Sequence, residues 1–431
     1  MNPPELFHNA LLLDPESGYL GPGGVLIQNG VIADSGPHLA QGAGGFAGAA
    51  TDCGGALLAP GLVDLRVVVG EPGAEHKETF RSAGRAAAAG GVTTMVIQPN
   101  TDPVIDDISL VDFVLRRAAA RTRVRVLPAA AITKGLQGER MAEIGLLSEA
   151  GAVLFAHGEQ PIRDSRVLRR AMSYGRAFGV LMAHRPLDPY LAVGGVMHGG
   201  EFAGRLGLAE IPAAAEHIGL ARDLALAELT GGRLLVDMLS SAGSLDALQR
   251  AKQHGVAVQA SVSLHHLSLN ELDVGDYRTF AKLSPPLRAE EDRLALLEAV
   301  QCGLIDVVVS AHDPRPAENK RLPFDEADFG AVGLETLLPG LLTLAHSAGA
   351  SLPALWRAAS LRPAQLLGLP QGRLAKGAPA DLVVVAPETP FRCEADKLLS
   401  KSRNSPFDGR LLQGRVQRTV VAGETIFERL G

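Results

Sequence analysis

Through the middle of the chain, short hydrophobic runs alternate with stretches of helical spacing. The strand-like runs are LVDLRVVV (62–69), VTTMVIQ (92–98), RVRVLPAAAI (123–132), AVLFAH (152–157), VLMAH (180–184), RLLVDMLS (233–240), VAVQASVS (256–263) and IDVVVSA (305–311). They are rich in β-branched residues and short enough for buried strands. Between them, segments such as HKETFRSAGRAAAAGG, DSRVLRRAMSYGRAFG and SLDALQRAKQHG carry apolar residues at helical intervals and stop at glycine. Eight strand-like runs with intervening helices predict an α/β fold, a (β/α)8 TIM-like barrel whose chemistry sits at the C-terminal strand ends.

The pattern changes at both termini. Residues 1–57 read as short strands and turns, with Asn29-Gly30 a strong hairpin signal and Gln41–Ala50 a Gly/Ala-rich loop. From about Gly372 the same style returns, ending in a hairpin around Ala422-Gly423. The expected organisation is a small flanking β-sandwich built from residues 1–57 plus 372–431, beside a barrel spanning 58–371. The longest insertions, 186–210 and 313–334, follow the fifth and eighth barrel strands, where long loops usually serve function or an interface.

Composition narrows the setting. The chain has 431 residues, 46% of them hydrophobic, enough for a large core. A formal charge of −6 gives no reason to expect nucleic acid or an anionic membrane as partner. Cys53, Cys302 and Cys393 are too far apart for a zinc cluster and suit a reducing cytoplasm. The N-terminus shows no signal peptide, and no apolar run is long enough to span a bilayer.

The first barrel strand decides what chemistry to look for. In APGLVDLRVVVGEPG (59–73), strand alternation places Asp64, Arg66, Val68 and Gly70 on one side. That side carries an arginine and no histidine.

The segments LLAPGLVDL, EPGAEHKET, RAAAAGGVTTMVIQPNTDPVID, AITKGLQGE, LSPPLRAEEDR, LPFDEADFGAVGLET and KSRNSPFDGR together resemble the dihydroorotase family of the amidohydrolase superfamily, along both the barrel and the β-domain. The resemblance implies a zinc-dependent fold, but the positions that correspond to the family's site have changed. The His-x-His and following Arg of the first strand correspond to Arg66, Val68 and Gly70. The metal-bridging acid region after the fourth strand reads Ala156, His157, Gly158, Glu159. The fifth-strand histidine is kept as His184, followed by Arg185-Pro186, and the sixth-strand histidine is Met238. The catalytic aspartate after the eighth strand is Ala311, and the substrate-contacting histidine of that motif is Arg315. Ser284 replaces an asparagine, whereas Asn100 is retained.

A hydrolytic zinc needs about three protein ligands and an open position. The expectation is therefore a non-catalytic dihydroorotase-like protein of pyrimidine biosynthesis that takes no cofactor. As in similar bacterial members, it would serve as a structural subunit for the aspartate carbamoyltransferase catalytic subunit, with homodimer contacts. The alternative is an active metal-dependent cyclic-amide hydrolase with an atypical site, for which His157 and His184 could approach each other. Arg66 is expected to point into the barrel and pair with Asp64 or Glu159, while alternation should turn Asp237 and His312 away from the interior.

Overall fold

The computed structural model describes residues 4–42 and 48–429. Half of the expected Gln41–Ala50 loop, residues 43–47, lies outside the described residues, and Ala49 and Ala50 enter a strand.

The N-terminal part forms β1 (Glu5–Asp14), β2 (Tyr19–Gln28), β3 (Val31–Gly36), β4 (Ala49–Asp52) and β5 (Leu57–Pro60). The barrel strands are β6 (Leu62–Val67), β7 (Val92–Ile97), β8 (Arg125–Ala131), β9 (Leu154–Ala156) and β10 (Leu181–His184). A short parallel pair, β11 (Met197–His198) and β12 (Glu210–Ile211), interrupts the series before β13 (Arg233–Val236), β14 (Val258–Ser263) and β15 (Val307–Val309). The C-terminal part adds β16 (Leu382–Arg392), β17 (Leu411–Val421) and β18 (Glu424–Glu428).

The eight barrel strands pair in parallel in the order of the chain, from β6 to β15. Closure comes from the bridge between Val67 and His312, with the Val68 N–H donating to the His312 carbonyl at 2.8 Å. The helices between and after these strands include α1 (Phe80–Ala89), α2 (Ile108–Arg121), α3 (Ile144–Glu149), α4 (Ser165–Ala177), α5 (Ala213–Thr230), α6 (Leu245–Gln253), α7 (Glu290–Gln301) and α8 (Leu337–Ala348). α1 shows why such segments become helices. Thr79 and Ser82 form a reciprocal capping box, and Phe80, Ala83, Ala86 and Ala87 bury one face. Gly90 ends it because its neighbour is backbone: a Cβ there would lie 2.0 Å from the Leu334 carbonyl oxygen.

The flanking β-domain is built from both termini. Among the described residues its eight strands belong to one hydrogen-bonded sheet, ordered β18-β17-β16-β5-β1-β2-β3 with β4 beside β1. The two termini meet where β5 runs antiparallel to β16. The Asn29-Gly30 and Ala422-Gly423 pairs all take positive φ, the geometry a tight two-residue hairpin requires. A core containing Phe7, Leu12, Val25, Ile32, Leu58, Leu382 and Val420 fills this domain. Trp356 is fully buried and donates from Nε1 to the Pro60 carbonyl at 2.8 Å, tying the post-α8 segment to the entry into β6. No helix among the described residues is long and apolar enough to cross a membrane, and all three cysteines are unpaired.

Candidate active site

The C-terminal strand ends gather a buried network of guanidinium and carboxylate groups. Arg66 leaves β6 toward the interior and is 4% exposed. Its Nη1 donates to Asp237 and its Nη2 to Glu159. Arg185, after β10, donates to Glu159 at 3.1 Å and to the Ser284 hydroxyl at 3.2 Å. Arg315 donates to Asp313 at 2.7 Å and approaches Asp328 at 3.9 Å. Three guanidinium groups thus face Glu159, Asp237 and Asp313.

Burial by itself would lower the pKa of Arg66, but Asp237 and Glu159 outweigh it and hold the guanidinium charged. Burial similarly opposes ionisation of Glu159, whose neighbours Arg185, Arg66 and Arg315 keep it below the usual range. Asp313 goes the other way: burial and the charge of Glu159 raise it, with Arg315 opposing. Its Oδ1 is buried without a hydrogen-bond partner.

The sequence assigned Asp64 or Glu159 to Arg66 and turned Asp237 away. The Glu159 pairing is present, but the second partner is Asp237. β13 ends at Val236, and Met238 takes a left-handed backbone with φ 59°. Period-two alternation therefore does not extend to Asp237, whose side chain swings onto Arg66. Asp64 instead accepts from the backbone N–H groups of Arg66 and Ser310, each at 3.2 Å. His312 is fully buried, 3.5 Å from Glu78, with Nδ1 accepting the Gly333 N–H.

The remaining positions are accounted for individually. Val68, Met238, Ser284 and Ala311 line a small void of about 20 Å³ with Arg66, Glu159 and Asp313. Gly70 lies in a close turn, where a Cβ would stand 2.0 Å from the Ala74 carbonyl oxygen. Asn100 is half-buried, with its Oδ1 unpartnered. His157 bonds Thr133 through Nε2 and the Gln160 carbonyl through Nδ1, both at 2.8 Å, and burial pushes its pKa down to about 4. His184 bonds Asp223 through Nδ1 at 2.6 Å and accepts the Ile162 N–H on Nε2 at 2.9 Å. Its proton therefore sits on Nδ1 and its lone pair is already used. Met238 and Ala311 share a feature that the sequence did not show: both hold φ near +50 to +60°, at 59° and 49°. Left-handed backbone costs a non-glycine residue roughly 1–2 kcal/mol and concentrates at functional sites.

A wider pocket of about 480 Å³ opens above this network. Its wall includes Glu159, Arg163, Leu187, Ser284, Arg315 and Asp328. The 313–334 loop beside it is fastened by two buried lysines. Lys282 donates to the Asp325 carbonyl at 3.0 Å and lies over Phe329, 4.7 Å from the ring centroid. Lys320 donates to the carbonyls of Asp328 and Thr279 at 2.6 and 3.0 Å. Asn404, from the KSRNSPFDG segment, bonds the Gly330 carbonyl and the Arg315 N–H across the same loop. Arg185, Asp313 and Lys320 were not read as parts of one site from sequence, since the loop brings them together only in three dimensions.

The model of the family described as "Dihydro-orotase-like" matches residues 55–244, and that described as "Amidohydrolase family" matches 212–426. A protein of Anaeromyxobacter dehalogenans named dihydroorotase is 41% identical over 97% of this chain and 96% of its own length. The chain belongs to the dihydroorotase family. A dihydroorotase of the Wolbachia of Drosophila simulans is 39% identical over 98% of this chain and 95% of its own. Among solved structures, an L-hydantoinase from Arthrobacter aurescens superposes with a TM-score of 0.88 at 25% identity, covering 98% of this chain and 96% of that one.

These relatives correct two expectations. A chain this similar along its whole length to proteins named dihydroorotase falls in a class of hydrolases, so the expected absence of catalysis is overturned. The expected absence of a cofactor is overturned with it, because dihydroorotases and hydantoinases are typically metal-dependent amidohydrolases. The side chains of this chain nevertheless do not fit a metal in the usual place. Among the described residues no group of three or more His, Cys, Asp or Glu side chains could hold one. Arg66 fills the space between Asp237 and Glu159, and His184 has no free lone pair.

Proposed function

We propose that this chain is a cyclic-amide hydrolase of the dihydroorotase type with an atypical, arginine-lined site. On this reading the pocket takes dihydroorotate and its ring-opened ureido acid. The full-length similarity to named dihydroorotases supports the reaction class. The observation that carries the reading is the set of guanidinium groups at the pocket, suited to a ligand that bears carboxylates in both ring-closed and ring-opened forms.

Ring opening adds water across the amide: oxygen bonds to the carbonyl carbon, the carbon–nitrogen bond breaks, and the nitrogen gains a proton. Arg315 and Arg163 would hold ligand carboxylates at the wall of the pocket. Arg66 and Arg185 supply fixed positive charge for the oxyanion of the tetrahedral intermediate. Asp313 is placed to move the proton, since it keeps an unpartnered Oδ1 and lines a void of about 20 Å³, room for one water. Conversion of dihydroorotate to carbamoyl aspartate, followed in both directions from pH 5 to 9 with and without added zinc, tests this. Asp313→Asn should lower kcat by about 10²-fold or more while leaving ligand affinity nearly unchanged. Equal turnover by the variant would remove Asp313 from the reaction.

We further propose that the chain associates with the aspartate carbamoyltransferase catalytic subunit and forms homodimer contacts. The observation in favour is an exposed apolar cluster in the 186–210 insertion, with Tyr190 74%, Leu191 44% and Val193 79% exposed. Arg163 lies over the Tyr190 ring, and Arg166, Arg169 and Arg170 are exposed on neighbouring α4. Arginine and aromatic groups together favour interfaces. Co-purification with the catalytic subunit supports the association; failure to associate, or association unaltered by Tyr190→Ser with Val193→Ser, refutes it.

A further inference from the structure

A second cavity lies away from the barrel mouth and shares no residue with it. It has a volume of about 230 Å³ and sits where the β-domain meets the barrel, between β16, β17, the end of α1 and the start of α8. Arg392, Lys397, Arg415 and Arg429 line it. The single ion pair formed by a lining residue, among the described residues, joins Lys397 to Glu394 at 2.8 Å. Arg392 donates to the Gly409 carbonyl at 2.6 Å and Arg429 to the Val416 carbonyl at 3.1 Å, bonds that leave both guanidinium charges uncompensated. Arg415 stacks over Phe391, 4.5 Å from the ring centroid, and this fixes its plane.

The cations carry little counter-charge, and Arg392 and Arg429 keep access to solvent. Burial lowers the pKa of Arg429 and the charge of Arg415 lowers it further, with Glu335 opposing. Glu335 does little to balance the cations. Burial raises its carboxyl to about 7, the nearby Glu78 also raises it, and its Oε1 already accepts the N–H groups of Leu399 and Ser400. Ala89, Pro339, Leu398 and Val416 give the rest of the wall an apolar surface.

We propose that this cavity binds a small phosphate-bearing molecule, with Arg392, Arg415 and Arg429 on the phosphate and the apolar wall against its body. Three guanidinium groups present forked donors suited to a dianionic, multi-oxygen group. Such a ligand relieves the mutual repulsion of Arg415 and Arg429, and its place at the domain junction would couple binding to the packing of the β-domain on the barrel.

Calorimetric titration of the full chain with inorganic pyrophosphate and with a nucleoside monophosphate tests the site. Saturable binding is expected, weakened at least tenfold in Arg415→Ala with Arg429→Ala and lessened by added salt. Arg85→Ala, in a separate arginine-lined groove, should leave affinity unchanged. Tighter binding of the nucleotide shows that the apolar wall receives its body; equal affinities show that the phosphate supplies the recognition. Thermal melts without ligand confirm that the variants fold. No saturable binding of either probe, or binding indifferent to loss of Arg415 and Arg429, overturns the proposal.

Discussion

Replacing Arg66 with methionine tests the charge network most severely. Methionine keeps much of the side-chain volume and removes the charge. The wild-type guanidinium is 4% exposed and joins Asp237, 8% exposed, to Glu159, 25% exposed. After the substitution Glu159 retains Arg185, but Asp237 loses its charged partner. Removing one member of a buried pair typically costs about 3–5 kcal/mol, chiefly because the remaining charge stays buried. Urea unfolding measures it, and Asp237→Asn in the Arg66→Met background should recover about half or more of the loss, because the amide carries no charge to leave buried. A cost below about 1 kcal/mol, or no recovery in the double variant, would refute the assignment of Arg66 as the neutralising centre.

Asp64 has a folded pKa raised to about 6 by burial, above its ordinary value of 3.8, so it loses stability for the fold as pH rises through that window. Asp64→Asn retains the acceptor for the Arg66 and Ser310 N–H groups and should flatten the stability profile between pH 4 and 6; an unchanged profile would contradict this. Trp356→Ala should cost about 3–5 kcal/mol in urea unfolding through the cavity and the lost bond to Pro60, and a cost under 1 kcal/mol would show that the segment after α8 does not lock the two domains together. Ala311→Gly should be neutral or stabilise by up to about 1 kcal/mol, since glycine accepts the left-handed backbone; clear destabilisation would mean that the Ala311 methyl packs more favourably than its φ costs.

Much of the barrel is legible because its strands are buried on both faces and read as continuous apolar runs. All eight runs become strands, although several are shorter than their hydrophobic length. RLLVDMLS yields only Arg233–Val236, because apolar composition does not mark where the backbone leaves the sheet. That shortfall explains the misplacement of Asp237. The fate of His184 was equally hidden: the residue is retained, but its use depends on Asp223 in α5 and the Ile162 N–H, both far away in sequence. Counting changed ligand positions shows what the first strand lost. It does not show that Arg185 and Asp313 converge on the same mouth, or that Met238 and Ala311 share an unusual backbone. The inference from lost ligands to lost catalysis was the step that the relatives overturned, because it treated one ligand arrangement as the only route to the reaction class.

The most direct measurement is turnover of dihydroorotate by the purified full chain, run beside Asp313→Asn and Arg66→Met. The account predicts ring opening by the wild type, reversed from carbamoyl aspartate, with a loss of about 10²-fold or more in Asp313→Asn. No conversion in either direction between pH 5 and 9, with and without zinc, would contradict it.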